Sequence, residues 1–300
     1  MVNTKRAKLL VKIGVVLIIF YFLGKSLYQN WGQVDFHQLH LHWGLLIVST
    51  FWLFGYFFLF VFMWTLILKK MGISLSFLKG VKIIFYSQLG KYIPGKVWTF
   101  AGRMYFCQRM GIPNSKTFIS VLLELALTTI SGILVFLLGL LITPGFKINV
   151  NPFLLILLVT MLFAIIHPKI LTRIINFFLR FIRKEPIIIN LSFFQICIMM
   201  GYYCIIWLCF GMAFYFLINS TTFITISKVP ILAGSLSVST TIGVLTLLAP
   251  GGLGVREGVL ALLLSNFFPI SLAILLSVLS RIWISLGELI LVGISTRIKL

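Results

Sequence analysis

The sequence predicts an all-α, polytopic membrane protein with about six transmembrane helices and two broken re-entrant hairpins. Hydrophobic residues make up 60% of the chain, whereas only 10% of the residues are charged. Apolar runs of about 20 residues, the length that a helix needs to cross a bilayer, recur along the sequence. Because soluble globular domains do not have this composition, we expect a single membrane domain over residues 1–300.

The basic residues lie in short clusters at the ends of the apolar runs, so the net charge of +20 does not indicate a nucleic-acid partner. Such clusters are typical of cytoplasmic loops and of contacts with anionic lipids. Lys5 and Arg6 precede the first apolar run, and Arg297 and Lys299 follow the last one. We therefore expect a multi-pass protein of the inner (cytoplasmic) cell membrane, with both termini in the cytoplasm. The expected partners are membrane lipids with anionic headgroups, and no nucleic acid.

The apolar runs predict the transmembrane spans in order along the chain. The fourth run is followed by a stretch rich in basic and apolar residues, which we expect to lie at the cytoplasmic interface with its bases toward anionic headgroups. The fifth run is long, and we expect it to be tilted or partly interfacial. The predicted spans cover about residues 9–27, 43–68, 117–142, 153–166, 187–218 and 270–295, and the basic stretch contains Lys169, Arg173, Arg180, Arg183 and Lys184.

Two further apolar segments, residues 77–110 and 228–268, are interrupted by proline and glycine. The first segment is broken at Pro94-Gly95 and the second at Pro250-Gly251. Proline and glycine interrupt helices, and non-helical backbone is tolerated within a membrane only where protein buries it or where it lines a watery cavity. We therefore predict two hairpins of short helices, the first entering from the cytoplasm and the second from outside.

The two hairpins share an order of parts, which predicts an inverted repeat of about residues 43–142 and 187–295. Each hairpin has a lysine, an apolar half-helix, a Pro-Gly break and then an arginine, Arg103 or Arg256. The span after each hairpin carries polar residues spaced so that they share one helix face. Alternatively, the breaks are ordinary kinks and the hydroxyl residues only pack helices together. The two polar stripes are Ser120, Glu124, Thr128 and Ser131, and Ser277, Arg281, Ser285 and Glu288.

Charged residues within the predicted membrane region should form a paired network. An unpaired charge at the bilayer centre costs about 2.5 to 3.5 kcal/mol, so these groups should face a polar interior. Arg256 and Glu257 point about 100° apart on a helix and cannot pair with each other. Glu124 or a bound anion could pair with Arg256. Arg103 or Arg281 could pair with Glu257. The predicted intramembrane charge network comprises Glu124, Glu257, Arg281 and Glu288.

Excess positive charge near the two breaks predicts a site for an anionic group such as phosphate. The three arginines and three glutamates of the predicted membrane region balance in charge. Lys91 and Lys96 then leave an excess of positive charge. The helix after Pro250-Gly251 would direct free amide groups and the positive end of its dipole at the break, where glycines let an anion approach. A purely structural ion-pair network is the alternative. The predicted headgroup-binding or phosphate-binding residues are Lys96, Arg103, Gly252, Gly254 and Arg256.

Neither a metal site nor a cofactor is expected. Asp35, His37, His40 and His42 form a conceivable metal cluster in the first external loop, but their spacing matches no known ligand pattern. The four cysteines lack CxxC spacing and should be small buried hydrophobic residues. The sequence contains no HExxH, GxSxG or Walker A motif, so we expect neither an enzyme nor direct ATP coupling.

Two motifs carry a resemblance to a known family. Residues 90–98 (GKYIPGKVW) and 250–258 (PGGLGVREG) resemble the flippase-like membrane domain of lysylphosphatidylglycerol synthases, and the resemblance covers essentially the whole chain. In two-domain synthases, this domain is taken to move a lipid across the bilayer, while a C-terminal soluble domain attaches lysine from aminoacyl-tRNA. Because Leu300 directly follows the last predicted span, the resemblance implies a stand-alone member without the aminoacyltransferase domain.

The leading hypothesis for the function is a lipid flippase or transporter. It would move an anionic phospholipid, a glycolipid or a polyprenyl-phosphate-linked lipid, with the headgroup between the two broken hairpins and the tails in the bilayer. The alternative is a non-transporting scaffold or accessory subunit, whose partners would be enzymes of a lipid or glycan pathway. The residues do not determine the lipid, the direction, the energy source or the oligomeric state.

Overall fold

The computed structural model describes residues 41–92, 97–143, 146, 151–181, 186, 191–246 and 252–299. Some of the predictions above concern residues outside these ranges. These are the span at 9–27, most of the conceivable metal cluster (Asp35, His37 and His40), Lys96, both Pro-Gly breaks, and Arg183 and Lys184 of the basic stretch.

The described residues form ten α-helices, as the predicted all-α fold requires. By length and apolar composition, five helical segments among them are able to cross a membrane, or six when one bent pair counts as a single span. The chain is therefore a polytopic membrane protein. The helices are α1 (Trp43–Lys70), α2 (Phe77–Gln88), α3 (Trp98–Arg109), α4 (Asn114–Ile142), α5 (Pro152–Ile165), α6 (Pro168–Phe181), α7 (Phe193–Asn219), α8 (Val229–Leu245), α9 (Val255–Leu264) and α10 (Ile270–Ser295).

The long helices lie where the apolar runs predict them, except at the start of α7. The prediction that the fifth span begins near residue 187 is wrong, because Ser192 is extended and the helix begins at Phe193. The hydroxyl of Ser192 accepts a hydrogen bond from the backbone N–H of Gln195 at 3.2 Å. The side-chain oxygen of Gln195 accepts one from the N–H of Ser192 at 3.0 Å. This capping box starts the helix within a continuous apolar run.

The first hairpin consists of two short helices, as predicted. Helices α2 and α3 have 12 residues each, so each is about 18 Å long and falls short of the roughly 30 Å hydrocarbon core. The 3₁₀ turn Leu89–Tyr92 follows α2. A Cβ atom on Gly90 of this turn would lie 2.6 Å from the carbonyl carbon of Trp98, the first residue of α3. Glycine therefore allows the turn to pack directly against the returning helix.

The second hairpin is less symmetrical than predicted. Its first arm, Ile226–Leu245, joins a 3₁₀ turn to α8 and is, at 20 residues, long enough to cross a membrane by itself. Its second arm, α9, has only 10 residues. The prediction of two half-helices therefore fits α9 but not α8, because the apolar run before the break supplies a complete span.

Helices α1–α4 and α7–α10 pack in matching pairs. Helix α4 contacts α8 as α10 contacts α2, and α3 contacts α4 as α9 contacts α10. Helices α1 and α7, the first of each set, contact each other. An inverted repeat would produce this correspondence. The equivalence of the two halves and their opposite orientations in the bilayer stay predictions.

Small residues let α4 and α8 approach closely. Ser237 of α8 donates from Oγ to the carbonyl oxygen of Gly132 at 2.7 Å. A Cβ atom on Gly132 would lie 2.7 Å from Cβ of Ser237, and one on Gly234 would lie 2.4 Å from Cα of Phe136. Close packing through small and hydroxyl residues is common between membrane helices. This contact brings the second hairpin beside the polar stripe of α4.

Candidate functional site

The first charged pair joins α3 to α4. Arg103 and Glu124 are 2% and 5% exposed, and Nη1 of Arg103 donates to both carboxylate oxygens of Glu124, at 2.9 and 2.7 Å. The Cζ atom of Arg103 lies 5.0 Å from the ring centroid of Trp64, whose Nε1 donates to Ser120 Oγ at 3.2 Å. Because Glu124 neutralises Arg103, we interpret this arginine as a structural ion-pair partner rather than a headgroup ligand.

The second charged pair joins α9 to α10. Nη1 of Arg281 lies 3.5 Å from Oε1 of Glu257, so Arg281 is the one of the two predicted candidates that pairs with this carboxylate. The other oxygen of Glu257, Oε2, accepts a hydrogen bond from the backbone N–H of Gly254 at 2.6 Å. Glu257 therefore neutralises a half-buried arginine and also caps the start of its own helix, where a negative charge is favourable.

A third charged pair joins the first hairpin to the last helix. Lys91 of the 3₁₀ turn donates to Oε2 of Glu288 on α10. Lys91 is thus not part of the predicted excess of positive charge, because a carboxylate lies beside it. This pairing also places the polar stripe of α10 next to the turn of the opposite half.

Arg256 is the buried base that these three pairs leave without a carboxylate among the described residues. The described residues contain three carboxylates, Glu124, Glu257 and Glu288, and each has a basic partner in the three pairs above. No described carboxylate lies within ion-pair distance of Arg256. Its side chain is buried, with 8% exposure, and its Nε has no hydrogen-bond partner among the described residues. Two partners were predicted for Arg256. Glu124 pairs with Arg103 instead, and a bound anion stays a prediction.

Charged groups of both signs surround Arg256. Arg281 is close enough for its charge to oppose that of Arg256, while Glu257 and Glu288 act in the opposite direction. Both carboxylates already have basic partners of their own. Tyr56 of α1 is also within electrostatic reach, and the same tyrosine interacts with Glu124 and Glu288.

The glycines of the second motif have structural roles beside Arg256. Gly252 and Gly254 have φ angles of 69° and 81°, which favour glycine. A Cβ atom on Gly252 would lie 2.7 Å from the carbonyl oxygen of Gly243 at the end of α8, and one on Gly243 would lie 3.0 Å from Cβ of Arg256. The predicted free amide of Gly254 is instead donated to Glu257. These glycines bring the ends of α8 and α9 together, and the anion that approaches Gly254 is the protein's own carboxylate.

Three residues near these charged groups were not predicted from the sequence. Tyr56 and Trp64 are aromatic residues of an apolar span, and nothing in their spacing distinguishes them from lipid-facing aromatics. Gly243 lies within α8 and carries no turn signal. The predicted ligand Lys96 lies outside the described residues, so its position relative to Arg256 stays a prediction. Among the residues that the structure describes, no group of three metal-binding side chains comes together.

Comparison with known families finds one that covers nearly the whole chain. Residues 9–291 match the family described as the lysylphosphatidylglycerol synthase TM region. The chain belongs to this family. A lysylphosphatidylglycerol synthase TM region that spans the chain places the protein among membrane proteins related to lipid modification or lipid flipping. No curated protein matches the chain. The family assignment confirms the resemblance carried by the two motifs, including the one that contains Arg256 and Glu257.

Proposed function

We propose that this protein is a lipid flippase or transporter that binds the anionic, phosphate-bearing headgroup of a membrane lipid at Arg256. The observation that carries the proposal is a buried guanidinium for which the described part of the chain offers no carboxylate. A buried charge without compensation is strongly unfavourable. A lipid headgroup would compensate it while the acyl chains stay in the bilayer.

The absence of a carboxylate beside Arg256, within the described residues, favours a transient ligand over a permanent ion pair. A phosphate oxygen matches the planar donor arrangement of a guanidinium. Arg281, which Glu257 neutralises, lies close to Arg256. Glu257 is engaged by Arg281 and by the backbone N–H of Gly254, and it is not within ion-pair distance of Arg256.

The two other ion pairs would hold the hairpins around this site. The Arg103–Glu124 pair fixes α3 to α4, and the Lys91–Glu288 pair fixes the first hairpin to α10. A headgroup at Arg256 would therefore meet polar groups from both halves within a bundle whose outer surface is apolar.

The substrate class follows from the same chemistry. Anionic phospholipids, phosphate-bearing glycolipids and polyprenyl-phosphate-linked lipids all present a phosphate next to apolar chains, and the family's relation to lipid modification or flipping supports such a substrate. We further propose that the protein is not an enzyme, that it needs no cofactor, and that it lies in the cytoplasmic membrane with both termini inside. The clustered terminal bases support this orientation.

Reconstitution into liposomes tests the proposal directly. Fluorescent phosphatidylglycerol would be incorporated in both leaflets, and its arrival in the outer leaflet would be followed with a membrane-impermeant quencher. We expect the wild type to move the lipid and Arg256→Gln to do so about tenfold to a hundredfold more slowly, because a charged hydrogen bond to the headgroup is lost. The matched control is Arg109→Gln, which removes an exposed arginine of the first hairpin.

Equal rates for wild type and Arg256→Gln, or no movement by either, would overturn the proposal. The scaffold alternative predicts no movement by the wild type together with retained binding of a pathway enzyme by Arg256→Gln. An enzymatic role would show itself as a new lipid product, detected by mass spectrometry after incubation of the purified protein with lipid.

A further inference from the structure

Helix α6 has three distinct faces. Leu171, Ile175 and Leu179, spaced four residues apart, are buried and pack into the hydrophobic core that α4 and α7 also line. The side chains of the second face are apolar but exposed. The side chains of the third face are basic and exposed. The exposed apolar residues are Ile170, Ile174 and Phe177, and the exposed basic residues are Lys169, Arg173 and Arg180.

Successive residues lie about 100° apart around a helix, and this rotation determines the order of the three faces. Phe177 lies between Arg173 and the exposed isoleucines, so the basic face borders the exposed apolar face rather than opposing it from across the core. A helix with this pattern places its apolar face among acyl chains and extends its bases to the level of the headgroups. No acidic residue occurs between positions 168 and 181.

The direction of α6 agrees with a position at the membrane surface. It is bent by 79° from α5, which is apolar and exposed along much of its length. Because the two helices are nearly perpendicular, α6 runs in the plane of the membrane when α5 follows the membrane normal. The buried face of α6 anchors it to the bundle, so its bases have a fixed position relative to the protein.

We propose that α6 is an in-plane interfacial helix that binds the headgroups of anionic phospholipids, at a lipid contact separate from the site at Arg256. The bases Lys169, Arg173 and Arg180 provide a fixed row of positive charge, and the neighbouring exposed apolar residues provide contact with the acyl chains of the same lipids. Anionic lipid is the occupant because the face is positive and apolar at once. This proposal holds whether or not Arg256 transports a lipid.

Native mass spectrometry of the protein released from nanodiscs tests it. The nanodiscs would contain equal amounts of phosphatidylglycerol and phosphatidylcholine, and the ratio of the two lipids retained by the protein would be measured. We expect the wild type to retain mainly phosphatidylglycerol, and the double variant Arg173→Gln/Arg180→Gln to lower the ratio roughly tenfold. The control Lys69→Gln/Lys70→Gln removes the same charge from the exposed end of α1, and its ratio should change much less.

Hydrogen exchange of residues 168–181 provides a second readout on the helix itself. In the wild type, exchange should be slower in nanodiscs that contain phosphatidylglycerol than in phosphatidylcholine alone, and the α6 variant should lose this difference. An unchanged lipid ratio in the α6 variant, or an equal drop in the control, would overturn the proposal. So would α6 exchange that does not depend on phosphatidylglycerol. The variant Arg256→Gln should keep the α6 response, which separates this contact from the transport site.

Discussion

Glu257 pairs with Arg281 at 3.5 Å, whereas its chain neighbour Arg256 has no carboxylate partner among the described residues. The two side chains point in different directions from the first turn of α9, which is why one neighbour cannot neutralise the other. This separation leaves the buried positive charge of Arg256 beside Arg281.

Replacement of Arg256 should not destabilise the protein. A buried charge without a partner opposes folding, so Arg256→Gln should leave the melting temperature in detergent unchanged or raise it. Thermal melting followed by intrinsic fluorescence measures this effect. A melting temperature that falls as far as that of a broken ion pair would instead show that Arg256 has a partner within the protein.

Replacement of Glu124 should have the opposite effect on stability. Glu124→Gln leaves Arg103 buried without its carboxylate, and loss of one member of a buried pair typically costs about 3 to 5 kcal/mol. The melting temperature should fall clearly, and replacement of both residues, by Arg103→Met and Glu124→Leu, should recover much of the loss. A single variant as stable as the wild type would contradict the structural role of this pair.

A phosphate-bearing lipid should stabilise the protein through Arg256. Ligand at 100 times its dissociation constant stabilises a folded protein by about 2.7 kcal/mol. Short-chain phosphatidylglycerol should therefore raise the melting temperature of the wild type, and the rise should be much smaller in Arg256→Gln. Diacylglycerol with the same chains lacks the phosphate and serves as the control. An equal shift with both lipids would show that the acyl chains alone are recognised.

Gly252 should not tolerate a side chain. A Cβ atom there would lie 2.7 Å from the carbonyl oxygen of Gly243, at a φ of 69°. We expect Gly252→Ala to destabilise the protein by about 1 to 3 kcal/mol and to reduce lipid movement, because the contact between α8 and α9 positions Arg256. Gly258 is the matched control, since a Cβ atom at Gly258 meets nothing within 4 Å and alanine favours a helix. Equal effects of the two alanine variants would contradict this interpretation.

The sequence predicted the fold well where the signal is local. Apolar length marked the spans, and proline with glycine marked the hairpins, because hydrocarbon solvation and helix interruption act within about one helix length. The start of α7 and the length of α8 were not predicted, and each has a local cause. The capping box at Ser192 begins α7 inside an apolar run, and α8 has enough apolar residues to form a complete span before the second break.

By itself, the sequence determined that the chain is a polytopic membrane protein, that its interior charges must pair, and that Arg256 and Glu257 need separate partners. Composition, bilayer thickness and the rotation of a helix are enough for those conclusions. Only the tertiary structure decided which carboxylate meets which base. Glu124, Glu257 and Glu288 pair with Arg103, Arg281 and Lys91. These partners come from different helical segments, and helix packing, which no spacing along the chain specifies, brings them together and leaves Arg256 without a carboxylate among the described residues.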